Sequence, residues 1–328
     1  MNLVEMNNVD KRFPLPLSME QRIARLLGRK VEVPTVHAVN GVSLSIRQGE
    51  VLGLVGESGC GKSTLARVMA GIHAPTSGNV TYRGEPVAVT QGRREVKLTT
   101  RVQMIFQDPY ASLNPRHRIN RIIAEGPLYH RLIKPGEQDE YVCEMMNQAG
   151  IDPAYRFRFP HQFSGGQRQR IGIARALAMQ PEFLVCDEAV AALDVSIQAQ
   201  VINLFMDLRE RLQLTYLFVS HDLGVVRHLS DRVAIMYLGK LVELAPAETI
   251  FGRANHPYTQ ALLSNMLTLN SRRQTFIPIK GEIPSPLSPP KGCKFHPRCP
   301  HAMARCSQEE PALREVEAGH FSACHLNT

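Results

Sequence analysis

The chain predicts an α/β fold built on a largely parallel sheet, and three observations carry that expectation. A continuous apolar run, Val51-Leu52-Gly53-Leu54-Val55, enters the glycine-rich string Gly56-Glu57-Ser58-Gly59-Cys60-Gly61-Lys62-Ser63-Thr64, which opens a helical pattern. Strand, glycine-rich turn and helix are the setting that a phosphate-binding loop requires, so the core is expected to be that of a P-loop NTPase. Two more apolar runs, at residues 183–186 and 216–219, each follow an amphipathic helix, the alternation of a parallel sheet with crossover helices. Between residues 108 and 160 the strand signals stop and helical periodicity takes over, which predicts an inserted helical subdomain at about 108–166.

Each element follows from its pattern. Leu3, Val4, Met6, Val9 and Phe13 alternate with polar residues, predicting an edge strand of an N-terminal antiparallel β subdomain. Residues 14–36 form a Pro- and Arg-containing insertion with a short helical stretch at 19–27. Val42-Ser43-Leu44-Ser45-Ile46 alternates with period two, and Arg47-Gln48-Gly49-Glu50 then turns the chain, a hairpin signal toward residues 51–55. A helix at 63–70, a strand at 102–106 and helices at 119–132 and 138–149 come next. Beyond Phe251 the pattern changes to Pro-rich loops. The expected partition is a nucleotide-binding domain over 1–250 and a separate tail over 251–328.

Composition narrows the classes. With 328 residues, 44% hydrophobic and 21% charged, the chain matches an ordinary globular protein, large enough for one big core with an appendage. No run approaches the ~20 apolar residues of a membrane span, and the N-terminus lacks the pattern of a secretory signal. A cytoplasmic protein is expected, with any membrane role exercised through a partner. The net charge of +8 is spread among acids apart from short clusters such as Arg116-His117-Arg118. Without interleaved aromatics, a solvated basic face is preferred to a nucleic-acid footprint.

The chemistry sits in a few residues. Gly56, Gly59 and Gly61 let backbone wrap round phosphates, Lys62 supplies a point charge to them, and the Ser63 hydroxyl suits Mg²⁺. Asp187 ends an apolar strand at the sheet edge where open α/β folds bind ligands, and is placed to hold the metal from the other side. Glu188 beside it is the candidate base for the attacking water, although two acids at a strand end also serve as a helix cap. Gln107 closes another strand on that edge, facing both the Mg²⁺ shell and the helical insert. His221 follows a further strand and is read as a γ-phosphate contact rather than a local cap, with Asp222 as a helix N-cap. Phe13 either stacks on adenine or fills the first hairpin. Cys60 and Cys186 fall inside these motifs as small apolar filler.

A second anion cradle is written in Ser164-Gly165-Gly166-Gln167, which opens a helical pattern whose first N–H groups are expected to face outward unpaired. One nucleotide does not need two cradles from one chain. Each is therefore expected to complete the site of another subunit, with ATP between two chains.

In order, residues 56–64, Gln107, residues 164–167, residues 183–188, Leu193-Asp194 and His221 resemble the Walker A, Q-loop, signature, Walker B, D-loop and H-switch motifs of ABC transporter ATPases. Three further stretches resemble the second ATPase of bacterial dipeptide, oligopeptide and nickel importers. They are Phe106-Gln107-Asp108-Pro109-Tyr110-Ala111-Ser112-Leu113-Asn114-Pro115, His256-Pro257-Tyr258-Thr259-Gln260-Ala261-Leu262-Leu263 and the cysteine tail. The resemblance implies ATP and Mg²⁺ as cofactors and a peripheral position on the cytoplasmic face of the inner membrane. As partners it implies two transmembrane permease subunits, a homologous second ATPase and an extracytoplasmic binding protein. Peptides are the implied cargo, with nickel complexes or glutathione-like molecules as alternatives. The chain departs from the family at Ala189, where Pro is usual, and at Ala191, where Ser is usual, which removes a hydroxyl from the D-loop.

Cys293, Cys299, Cys306 and Cys324 crowd a Pro-rich segment with little apolar content to fold it. Disulfides do not suit a cytoplasmic protein, and the paired knuckles of structural zinc are absent. Four cysteines also suit an Fe–S cluster. The resemblance to importer ATPases favours a [4Fe–4S] cluster, with zinc or free thiols as alternatives.

Two other functions compete. A chromosome- or repair-type ATPase needs a long coiled coil between its motif halves, and no sustained heptads separate Gln107 from Phe183. Ribosome-acting ABC proteins carry tandem motif sets, whereas each motif occurs once here.

Overall fold

The computed structural model describes residues 1–28, 33–92, 94–264, 279 and 281–327. Its principal sheet has a parallel centre. Strand β3 (Val51–Val55) lies between β10 (Thr215–Val219) and β11 (Arg232–Tyr237); β10 continues to β9 (Phe183–Asp187), and β9 to β8 (Val102–Ile105), all parallel. Strands β3, β9 and β10 are buried along their whole length, as their unbroken apolar sequences require of strands covered on both faces. Phe183, Phe205 and Phe218 are each worth about 1.5–3 kcal/mol of burial here. Helix α2 (Lys62–Met69) follows β3, while α5 (Gly165–Leu177), α6 (Val195–Leu212) and α7 (Leu223–Leu229) lead into β9, β10 and β11. Asp222 caps α7 as its sequence predicts, accepting from the N–H groups of Gly224 and Val225 at 2.8 and 3.3 Å.

A second, antiparallel sheet has the order β2–β1–β4–β5, from β1 (Asn2–Pro14), β2 (Thr35–Arg47), β4 (Ser77–Tyr82) and β5 (Glu85–Pro86). It corrects two expectations. Strand β1 is interior, paired with β2 on one side and β4 on the other, because residues 77–86 return as strand. The turn at residues 47–50 joins two sheets rather than two arms of a hairpin, since β2 pairs with β1 while β3 enters the parallel centre. A short ladder of β6 (Ala88–Gln91) and β7 (Arg94–Lys97) completes this region. In the insertion, α1 spans Met19–Leu26. The helical subdomain consists of α3 (Ile119–Tyr129) and α4 (Gln138–Gln148) packed on α5.

The tail is woven into the main body. Strand β12 (Lys240–Pro246) pairs with β11 and then with β14 (His320–Ser322), which carries β13 (Arg314–Glu317) at the sheet's edge. Helices α8 (Ala247–Arg253) and α9 (Pro257–Ser264) follow β12, and α10 (Ala304–Gln308) lies among the cysteines. Tyr258 and Phe295 share one apolar cluster with Val55, Ile235 and Tyr237. The tail's core is thus continuous with the strand that delivers the phosphate loop.

Candidate nucleotide site

The loop between β3 and α2 is shaped by glycines with no room for a side chain. A Cβ on Gly56 would stand 2.2 Å from the Met236 carbonyl oxygen. Gly61, at φ +109°, would put one 2.1 Å from that of Ala38. Lys62 is buried and donates from Nζ to the carbonyls of Gly56 at 2.7 Å and Glu57 at 3.0 Å, so its ammonium sits inside the loop's concavity. Cys60 is buried, and burial pushes its thiol pKa up, in keeping with filler rather than chemistry.

Ser63 and Asp187 face each other from the start of α2 and the end of β9. The Ser63 hydroxyl donates to Asp187 Oδ1 at 2.9 Å. Burial, above all, pushes the Asp187 carboxyl pKa up, and the Ser63 hydrogen bond opposes it. A hydroxyl and a buried carboxylate in contact beside the loop are hard-oxygen donors of the kind Mg²⁺ prefers.

The neighbouring carboxylate is held quite differently. Glu188 has φ +48°, in the left-handed region. A non-glycine residue stores strain there. Its N–H donates to the Val219 carbonyl at 3.0 Å. Glu188 Oε2 receives Gln107 Nε2 at 2.7 Å and lies 3.5 Å from His221 Nδ1. An amide and an imidazole from two other strand ends thus aim a single carboxylate oxygen, the geometry of a positioned general base.

Of these residues Lys62, Ser63, Gln107 and Glu188 line a cleft of about 320 Å³, whose described lining does not include Asp187 or His221. Its walls include Ser58 to Thr64 of the loop, together with Gln107, Glu188, Phe13, His37 and Pro286. Phe13 makes an edge contact with His73 at 5.7 Å between centroids and lies under Lys11 Nζ at 5.3 Å, so it both packs and borders the cleft. Pro286 comes from the tail, and its carbonyl accepts from the His37 N–H at 3.2 Å.

Ser164, Gly165, Gly166 and Gln167 are absent from the described lining of that cleft. Ser164 caps α5 reciprocally: its Oγ accepts from Gln167 N at 3.3 Å, and its own N–H donates to Gln167 Oε1 at 3.0 Å. The Gln167 N–H is therefore satisfied internally, a correction to the expectation of a wholly unpaired helix start. Gly166 is packed so tightly that a Cβ would meet Ile197 Cγ2 at 2.4 Å, whereas Gly165 faces open space.

Cys293, Cys299, Cys306 and Cys324 carry free thiols. Cys293 N–H donates to the Cys306 carbonyl at 2.8 Å, which draws two of the four segments together. Burial raises the thiols of Cys293, to about 11, and of Cys299 and Cys324; each of these feels at least one other member of the four. Among the described residues no group of three or more His, Cys, Asp or Glu side chains is arranged to hold a metal ion. The four-cysteine metal or cluster site expected from the sequence is thus not seen among the described residues.

Sequence reasoning passed over Glu57's partners. The Tyr258 hydroxyl accepts from the Glu57 N–H at 2.9 Å, and Arg298 grips the Glu57 carboxylate at 2.6 and 3.0 Å. The available signal was an arginine and a tyrosine set in the two tail stretches, but the separation of 241 positions hides the pairing.

A phosphate loop, a hydrogen-bonded Ser63–Asp187 pair and an aimed glutamate on one sheet edge fit an ABC-type ATPase, and comparison with known proteins shows that class. The ABC transporter family model matches residues 39–191, and that of the oligopeptide/dipeptide transporter C-terminal region matches residues 242–306. The chain is 48% identical over 328 residues to the oligopeptide transport ATP-binding protein AppF of Bacillus subtilis, covering 99% of this chain and 97% of the relative. It is 49% identical over 291 residues to the di/tripeptide transport ATP-binding protein DppF of Pseudomonas aeruginosa, covering 88% and 90%. The chain belongs to the ATP-binding proteins of oligopeptide/dipeptide ABC transporters. Solved structures agree on the fold. MJ0796, a bacterial ABC transporter cassette solved as a dimer, matches with TM-score 0.61 at 25% identity, covering 74% of this chain and 98% of that one. CbiO1 of Clostridium perfringens matches with TM-score 0.61 at 22% identity, covering 77% and 91%. Membership in this family implies ATP and Mg²⁺ as ligands. Among the described residues no helix is long and apolar enough to cross a membrane.

Proposed function

We propose that this chain hydrolyses ATP to drive import of di- or oligopeptides through a membrane permease. The observation that carries the reading is the convergence of Gln107 and His221 on Glu188 Oε2, beside a loop that already holds Lys62 and a Ser63–Asp187 pair. In this reading Lys62 and the loop N–H groups bind the β- and γ-phosphates, while Ser63 and Asp187, with Gln107, hold Mg²⁺. Glu188 orients and deprotonates the attacking water, and His221 senses the γ-phosphate. Phe13 borders the adenine. Ser164, Gly165, Gly166 and Gln167 contact ATP held by a second, homologous subunit, since the loop at residues 56–64 already supplies one phosphate cradle and this run is a second. The peptide cargo rests on the relatives' transport roles and on the matching C-terminal region.

Two permease subunits, an extracytoplasmic binding protein and a peripheral seat on the inner membrane complete the proposal. The working partition is residues 1–250 for nucleotide and 251–328 for the tail. A [4Fe–4S] cluster on Cys293, Cys299, Cys306 and Cys324, with zinc as the alternative, is the reading favoured by four cysteines within residues 293–324 and by the resemblance to importer ATPases; iron and acid-labile sulfide in anaerobically purified protein decide it. The transport reading is tested by reconstituting the chain with its permease and binding protein in vesicles. Peptide uptake that requires ATP and stops in Lys62→Ala vesicles is expected. ATP turnover responding to DNA or ribosomes and indifferent to permease would overturn it.

A further inference from the structure

The phosphate loop is held from outside by the tail. Glu57, its second residue, turns both its side chain and its N–H toward the tail. Arg298 meets both carboxylate oxygens with its two terminal nitrogens at 2.6 and 3.0 Å, a two-pronged pairing that fixes direction as well as distance. The pair is shielded, with side-chain exposures of 6% for Arg298 and 22% for Glu57. The Glu57 N–H donates to the Tyr258 hydroxyl at 2.9 Å. Behind these contacts Tyr258 packs edge-on with Tyr237 at 4.7 Å and tilted against Phe295 at 5.3 Å, all three buried. Arg298 also donates to the Tyr237 hydroxyl at 3.3 Å, so the brace stands on the same aromatic cluster as the sheet. The Glu57 carbonyl in turn accepts from Lys62 Nζ and from the Cys60 N–H. Displacing Glu57 therefore displaces the lysine that faces the phosphates.

We propose that Arg298 and Tyr258 are positioning residues of the nucleotide site, and that the tail sets phosphate affinity by holding Glu57. The proposal rests on the ATP-binding reading above and deepens it: the C-terminal region, read so far as an appendage, becomes part of the ATP site. Arg298 also immediately precedes Cys299 within one tight run, where Arg298 N donates to Phe295 O and Cys299 N to His296 O. The brace is thus anchored in the same turn as the thiols.

The test is calorimetric titration of the full chain with Mg·ATP, on wild type, Arg298→Met, Glu57→Gln and the double variant, with thermal unfolding in the absence of nucleotide as control. Either single change is expected to weaken Mg·ATP binding about five- to twentyfold. The double variant is expected to be no weaker than the worse single one, because the two residues act as a unit. Tyr258→Phe, which removes only the hydroxyl, is expected to weaken binding in the same direction, by a smaller factor. Wild-type affinity in folded Arg298→Met, or additive losses in the double variant, would overturn the brace while leaving the ATPase reading intact. Wild-type protein that binds no Mg·ATP would overturn both. Should Arg298→Met fail to fold, Arg298→Lys keeps the charge and loses the fork, and unchanged affinity there would also overturn it.

Discussion

At the scale of single residues, two adjacent carboxylates acquire different roles from the backbone between them. Asp187 ends its strand and meets Ser63, whereas Glu188 turns into the left-handed region and meets Gln107 and His221. The motif residues were legible in the sequence because each ends a strand at one edge, and a parallel sheet gathers such ends without further information. The strain at Glu188 was not legible, because it depends on the Val219 carbonyl capturing the Glu188 N–H. Gly61 belongs to the same scale. Its φ is +109°, and an added Cβ would lie only 2.1 Å from the Ala38 carbonyl oxygen. Gly61→Ala is therefore expected to lower stability by about 1–3 kcal/mol and to abolish Mg·ATP binding, measured by thermal unfolding and calorimetry.

At the scale of elements, the tail shows where sequence reading ran short. Its composition announces a boundary, but the pairing of β14 with β12 and the burial of Phe295 against Tyr237 are long-range events that a local pattern does not encode. The same limit explains β1, whose alternation is legible but whose second neighbour, β4, is not. A pH signature follows from this packing. His256 is buried, its Nδ1 accepts from the Tyr258 N–H at 3.1 Å, and burial lowers its pKa from the ordinary 6.5 to about 4. The folded chain thus refuses a proton that the unfolded chain takes up below pH 6.5. The stability this residue contributes is full above that value, falls as pH drops toward about 4, and levels off below it. The loss is expected to be about 3 kcal/mol. Comparing melting temperatures of wild type and His256→Asn across this range checks it: the variant is expected to lack this component, and parallel curves would contradict it.

At the scale of the whole molecule, the phosphate loop and the Ser164–Gln167 run are two separate helix starts, and the second is proposed to serve another subunit's nucleotide. Lys62 lines the cleft of its own chain, while a Cβ added at Gly165, in the first turn of α5, would meet nothing within 4 Å. Gly165→Asp isolates that second helix start: an acidic residue suits a helix N-terminus and leaves the fold intact, yet repels a partner's γ-phosphate. The expected outcome is unchanged Mg·ATP binding by the isolated chain and at least about a tenfold loss of turnover in the assembled pair. Equal turnover would mean that the nucleotide is not shared.

In the proposed function, hydrolysis turns most of all on Glu188. Mg·ATP binding and ATP turnover, measured side by side on the assembled transporter with wild-type or Glu188→Gln subunits, address it directly. Binding is expected to persist while turnover falls by about 10²-fold or more. A Glu188→Gln protein that hydrolyses ATP as fast as wild type would contradict the assignment of the base, and with it the reading of Gln107 and His221 as the groups that aim it.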